Sequence, residues 1–289
     1  MDMEKLIIDL LVRYQNHDGS WGYYQQSPGF IEPTVYALLS LYKKDDESFK
    51  RGLRWLLNQQ NENGSFVNID INSTWPSFWV YFLMSVINEE AIPESILIMK
   101  WIISHRGKGA AFSQDLSNKD LLSLGWPWYK NTTSWVEPTS YALIALKHRA
   151  TTDSRTIKII KNAEQFILAR ACNEGGWNAG NSMLFDTHLS SYPTSTAFAL
   201  LSLQDHQENS IVLEGLYSFL GFLKQTISPY LLGLGVIILY CFNEDYSDVL
   251  RKLYKYGEYT SWDSNYIPSL ALALISSCVE NFNPFAMIR

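Results

Sequence analysis

The sequence predicts an all-α fold in which six helical hairpins form two concentric rings, apolar helices inside and amphipathic helices outside. Three observations point to it. An apolar segment that opens on Pro-Thr or Pro-Ser recurs along the 289 residues. Amphipathic segments alternate with these apolar ones. The turns between them repeat a pattern of Gln, Gly and an aromatic residue. Self-similarity at a period of about 48 residues marks a repeat architecture, in which each unit buries its apolar face only by stacking on its neighbours.

In chain order, the outer helices are expected over 5–14, 47–59, 93–104, 154–171, 211–225 and 246–256. In the second of these, Leu53, Leu56 and Leu57 share one stripe while Arg51, Arg54 and Asn58 point away, as on a surface helix. The inner helices open at Pro33-Thr34, Pro76-Ser77, Pro138-Thr139, Pro193-Thr194, Pro229-Tyr230 and Pro268-Ser269. Proline suits a first helical turn because its missing N–H would be unpaired there in any case. These segments are apolar nearly all round, so they should be buried on all sides. Their shared opening places all six starts at one rim. No run reads as a strand, and residues 1–289 are read as one domain.

The turn pattern appears as Gln15…Gly19-Ser20-Trp21, Gln59…Gly64-Ser65-Phe66 and Arg170…Gly175-Gly176-Trp177. Glycine supplies the positive φ that stops a helix. The Gln amide can bond the exposed carbonyls of that turn, and the aromatic ring can seal it. The expected result is a staple between adjacent hairpins.

Composition narrows the function. Hydrophobic residues make up 47% and charged residues 18%, which excludes a disordered chain. A net charge of -6 with no Lys/Arg cluster excludes a general nucleic-acid binder. Ten Trp, 17 Tyr and 14 Phe call for a large core or an aromatic-walled cavity. Cys172, Cys241 and Cys278 are odd in number and scattered, so a disulfide framework is not expected and a cytoplasmic location is. The opening Met1-Asp2-Met3-Glu4 is acidic, unlike a signal peptide. The longest apolar run, 229–242, would span about 21 Å as a helix, short of the roughly 30 Å hydrocarbon core. No transmembrane segment is expected, and peripheral contact with a membrane surface stays open.

At its Gln…Gly-x-Trp turns the sequence resembles the prenyltransferase and squalene-cyclase repeat family, whose QW motif they match. The resemblance runs over essentially the whole chain. The segment Gly175-Gly176-Trp177-Asn178-Ala179-Gly180-Asn181 also looks like bacterial single-toroid members. The resemblance implies an α/α toroid of six hairpins, a fold that hosts terpene cyclases, protein prenyltransferase β subunits and thioester domains. No cysteine lies in the Cys-Gly-x-Gln turn of the thioester domains. The chain is also about half the length of the two-barrel triterpene cyclases.

What the resemblance implies for activity is a terpene-cyclase-like isomerase or lyase that needs no cofactor. Its substrate would be an isoprenoid or similar hydrophobic molecule in a central aromatic-lined cavity. In class II cyclases an Asp-x-Asp-Asp-Thr motif starts an inner helix and its middle Asp is the proton donor. Aligning the Thr places Glu32 and Glu137 on that donor, with Pro33 and Pro138 in place of the Asp that follows. Asp70, in Asp70-Ile71-Asn72-Ser73-Thr74, is the third candidate acid. A carboxyl in an apolar cavity can stay protonated at neutral pH and act as an acid. Aromatic faces steady a cation by about 0.5–2 kcal/mol each, and Trp75, Trp79, Trp135, Tyr141, Tyr192 and Phe198 are the candidate substrate-binding residues. Capping by a first-turn Glu and turn formation by a loop Asp are the ordinary structural roles of the same residues.

Two further readings stand beside this one. A non-catalytic toroid would carry a hydrophobic ligand or bind a partner, with both Glu facing solvent as caps. A zinc-dependent prenyltransferase β-like subunit would use Asp186 and His188, which resemble that family's Asp-x-Cys pair with His in place of Cys. A closed zinc site needs four ligands, so no metal is expected.

Overall fold

A computed structural model describes residues 3–68, 70–88, 92–107, 125–148, 151–184, 186–260, 262 and 266–287. Twelve helices and one short hairpin appear among them. The outer helices are α1 (Met3–Arg13), α3 (Asp46–Leu57), α5 (Pro93–Ser104), α7 (Ser154–Leu168), α9 (Ser210–Gln225) and α11 (Ser247–Thr260). The inner helices are α2 (Ile31–Leu41), α4 (Trp75–Val86), α6 (Val136–Lys147), α8 (Pro193–Ser202), α10 (Pro229–Cys241) and α12 (Ile267–Ser277).

The inner helices form a closed ring. α2 packs on α4, α4 on α6, α6 on α8, α8 on α10, α10 on α12, and α12 back on α2. Behind them α3 packs on α2, α5 on α4, α7 on α6, α9 on α8, α11 on α10, and α1 on α12. Burial follows the sequence pattern. Every residue of α4 from Pro76 to Val86 is buried, whereas α3 buries only Ser48, Gly52 and Leu56.

Each inner helix is separated from the next by one outer helix running back, so all six start at one rim, here called the N rim. Hydrogen bonds stitch that rim together. The N–H of Ile31 donates to Asn68 Oδ1 at 2.8 Å. The N–H groups of Thr74, Val136 and Ile267 donate to the carbonyls of Trp128, Ala179 and Tyr23 at 3.0, 2.9 and 2.9 Å. Each acceptor lies two residues beyond the turn aromatic of the next hairpin, the last of them closing α12 onto the loop before α2. These bonds satisfy N–H groups that a helix start leaves free.

The turns work as staples. The indole N–H groups of Trp21, Trp126 and Trp177 donate to the carbonyls of Leu11, Ile102 and Ile167 at 2.7–2.8 Å, in the last turns of α1, α5 and α7. Their backbone N–H groups donate to Thr34, Thr139 and Thr196 Oγ1 at 2.9–3.0 Å. Gly19, Gly64 and Gly175 all take positive φ.

Three details differ from the sequence reading. The second staple uses Gln60, which bonds Gly64 O and Glu94 O, while Gln59 turns back to Trp55 O. A spacing of four from Gln to Gly, as in Gln15–Gly19, sets the register. In α8 the stapling hydroxyl is Thr196 rather than Thr194, so Tyr192 matches the N-cap position of Phe30 and Trp135 and not the position of Glu32. A hairpin of β1 (Met183–Leu184) and β2 (Thr187–His188) interrupts the loop before α8 where no strand is expected. Asp186 takes a φ of 57° in its turn.

Candidate functional site

Ring contacts that skip a helix show which side chains point into the lumen. Trp79 on α4 reaches Phe198 on α8 at 5.7 Å between centroids, across the position of α6. Tyr36 on α2 meets Tyr230 on α10 across the position of α12, with the two hydroxyls 3.2 Å apart. Tyr141 on α6 lies 4.9 Å from Trp79 and 4.7 Å from Phe198. Tyr36, Trp79, Tyr141 and Phe198 are all buried and form a continuous aromatic floor.

Above the floor the residues become half-buried. Glu32, Tyr23, Tyr230, Tyr266, Trp75, Trp128 and Glu137 stand around the mouth at the N rim. Tyr266 lies 6.2 Å from Tyr23 in a stacked pair and 6.0 Å from Tyr230. Trp128 stands edge-on to Tyr141 at 5.9 Å and to Trp75 at 6.2 Å. Among the described residues the site is a bowl, closed below by buried rings and lined above by half-buried side chains.

Glu32 lies in the first turn of α2, where Phe30 is the N-cap and provides no side-chain cap bond. Its Oε2 accepts a hydrogen bond from the Tyr23 hydroxyl at 2.5 Å. Burial among the rings pushes its carboxyl up to about 7, against the opposing effect of that hydrogen bond. The neutral acid is therefore favoured here far more than in a solvent-exposed glutamate. Burial and the Glu32 charge hold the Tyr23 phenol well above its ordinary value, so Tyr23 stays a donor.

Glu137 occupies the matching position on α6. Its Oε1 accepts from Ser195 Oγ on α8 at 2.9 Å, and burial raises its carboxyl against that bond. Burial holds the phenols of Tyr141 and Tyr230 high, and both also feel the charges of Glu32 and Glu137. The two carboxyls thus address one lumen. Each carboxyl has its own hydrogen-bond donor, Tyr23 for Glu32 and Ser195 for Glu137.

The other sequence candidates are placed as follows. Asp70 is exposed, and its Oδ1 accepts from the Asn72 N–H at 2.8 Å in a tight turn. Trp135 and Tyr192 are N-caps at the rim, 39% and 54% exposed, apart from the ring cluster. Trp75, Trp79, Tyr141 and Phe198 belong to the bowl. Asp186 and His188 lie on the exposed hairpin, with His188 Nε2 3.0 Å from Asn173 Nδ2.

Among the described residues, Glu164, Asp205 and His206 are spaced closely enough to hold a metal ion. The Lys147 ammonium already bonds both carboxylates at 2.5 Å. An ion there would have to displace a buried lysine, so the cluster is an ion-pair network at the opposite rim.

Sequence reasoning missed Tyr23, Tyr36, Trp128, Tyr230 and Tyr266. Two signals would have found three of them. Tyr23 and Trp128 lie two residues past the turn aromatic, the position that stitches the N rim. Tyr230 is the second residue of its inner helix, as are Glu32 and Glu137.

No protein-family model matches the chain, and no curated protein matches it in sequence. Solved structures do match its fold. A protein from Actinoplanes superposes with a TM-score of 0.58 at 13% identity, over 95% of this chain and 97% of that one. Type II terpene cyclase MstE from Scytonema, without ligand, gives 0.58 at 10% identity over 95% and 96%. A variant of MstE in complex with merosterolic acid A, its product, gives 0.59 at 9% identity over 95% of each chain. A novel α-amylase from Clostridium perfringens gives 0.66 at 13% identity over 95% and 96%. At these identities the likeness is one of fold: the chain is a helical toroid, like the terpene cyclase and the α-amylase. No described helix is long and apolar enough to cross a membrane.

Proposed function

We propose that the bowl binds an isoprenoid or similar hydrophobic substrate and that Glu32 starts its cyclisation or isomerisation by protonating it. One observation carries this reading. A carboxyl pushed up to about 7 faces an aromatic floor, with a tyrosine hydroxyl as its partner. Such a group is a neutral acid near physiological pH, where general acids work best.

The neutral Glu32 passes its proton to an alkene carbon or an epoxide oxygen. The Tyr23 hydroxyl, already bonded to Oε2, steadies the carboxylate left behind. Positive charge develops on the substrate and is steadied by the faces of Tyr36, Tyr230, Trp79 and Tyr141, about 0.5–2 kcal/mol each. A proton then leaves a neighbouring carbon for a carboxylate, either Glu137 or Glu32 itself, and a new double bond forms. The substrate's composition is unchanged and no cofactor takes part.

The test is incubation with squalene, geranylgeraniol and polyprenyl diphosphates, with a mass-spectrometric search for isomers. The wild type should form an isomeric product and folded Glu32→Gln should not. Equal turnover by the two would remove Glu32 from the mechanism. The α-amylase likeness, with two carboxyls on one bowl, favours a second reading: glycoside hydrolysis by an acid and a base or nucleophile. Malto-oligosaccharides in the same assay separate the two. The continuous floor of buried rings, Tyr36, Trp79, Tyr141 and Phe198, favours a hydrocarbon.

A further inference from the structure

Beneath the aromatic floor the lumen is stopped from the opposite rim. After α12 the chain turns across the C-terminal ends of the inner helices. Phe282 packs on Tyr42, just past α2, at 5.9 Å. Asn283 Nδ2 donates to Cys241 Sγ at the end of α10 at 3.4 Å. Gln204, just past α8, donates to the Phe285 carbonyl at 2.9 Å and accepts from the Met287 N–H at 3.1 Å. The segment is therefore tied to three inner helices spread around the ring. Its one large ring at the centre, Phe285, is 1% exposed and lies 5.2 Å from Phe82 and 6.4 Å from Trp79.

We propose that Phe285 is the stopper of the bowl and sets the length of hydrocarbon chain it accepts. This rests on the bowl being a site for a hydrophobic chain. The stapling hydroxyls of Thr34 and Ser77 put Glu32 and Trp75 at the same level. Phe82 is seven residues further along α4, roughly 10 Å below the acid at 1.5 Å per residue. The intervening Trp79 is held by packing alone, since its indole N–H finds no acceptor among the described residues. Removing the Phe285 ring opens a cavity on that side of Trp79 into which the indole can shift, deepening the bowl.

The test titrates wild type, Phe285→Leu and Phe285→Ala with geraniol, farnesol and geranylgeraniol, following quenching of tryptophan fluorescence. Wild type should prefer the shorter alcohols, and the ratio of long-chain to short-chain affinity should rise about tenfold or more in the variants, Ala above Leu. Circular dichroism and melting establish that each variant is folded, and if Ala is not, Leu carries the test. An unchanged ratio in a folded variant overturns the stopper while the bowl stands, as does equal affinity of wild type for all three lengths. If cooperatively folded wild type binds none of them, the reading of the bowl falls and the stopper with it.

Discussion

At the scale of single residues, Glu32 and Tyr23 form a coupled pair whose behaviour follows from burial. The folded value of Glu32, about 7, lies above its ordinary 4.5. The folded state therefore binds this proton more tightly than the unfolded chain. The stability that this preference contributes is full below pH 4.5, falls as pH rises to about 7, and is gone above it. Its size is at most about 3 kcal/mol. Glu32→Gln should flatten that pH dependence and raise the melting temperature above pH 7, measured by thermal melts across pH 4–9. Tyr23→Phe removes the bond that opposes the shift, so the Glu32 midpoint should move higher still. Both Glu residues were legible in the sequence because Thr34 and Thr139 fix their register. Their shared lumen was not, because it depends on Tyr23, Tyr230 and Tyr266, which come from loops and helix starts far apart in the chain.

At the scale of elements, the outer helices carry glycines where a neighbouring indole enters. A Cβ on Gly215 of α9 would lie 2.4 Å from Trp177 Cζ3, whereas one on Gly221 of the same helix would meet nothing within 4 Å. The paired substitutions therefore separate propensity from packing. Gly221→Ala should stabilise by about 0.4–1 kcal/mol through helix propensity and the unfolded state. Gly215→Ala must displace a fully buried tryptophan and should cost about 1–3 kcal/mol. Denaturant melts of both variants check the difference in sign. The helices themselves were plain in the sequence, the inner ones by Pro at the first turn and the outer ones by stripes such as that of α3. The Met183–His188 hairpin was not, because two-residue strands leave no periodicity to read. The one-residue error at Gln59 has a similar origin, since either of two adjacent glutamines fits the turn until the Gly64 carbonyl selects one.

For the whole molecule, ring closure concentrates polar demands at the two rims. At the C-terminal rim Lys147, with its side chain 6% exposed, joins Glu164, Asp205 and the Ser202 carbonyl. Lys147→Ala leaves buried Glu164 with only His206, at 3.2 Å, as its partner among the described residues and should cost about 1–3 kcal/mol, read from the shift of a chemical-denaturation midpoint. At the N rim, backbone bonds join the hairpins and leave Glu32 above the aromatic floor. The toroid was legible from repetition alone, whereas the bowl required knowing which rings meet across the lumen. The account turns on Glu32 being a neutral acid inside that bowl. The most direct test is a carboxyl-carbon NMR titration of Glu-labelled protein, alone and with geraniol. One glutamate, absent from Glu32→Gln, should titrate near pH 7 and move higher when the apolar ligand covers it. A spectrum in which every glutamate titrates below pH 5, with or without ligand, would contradict the account.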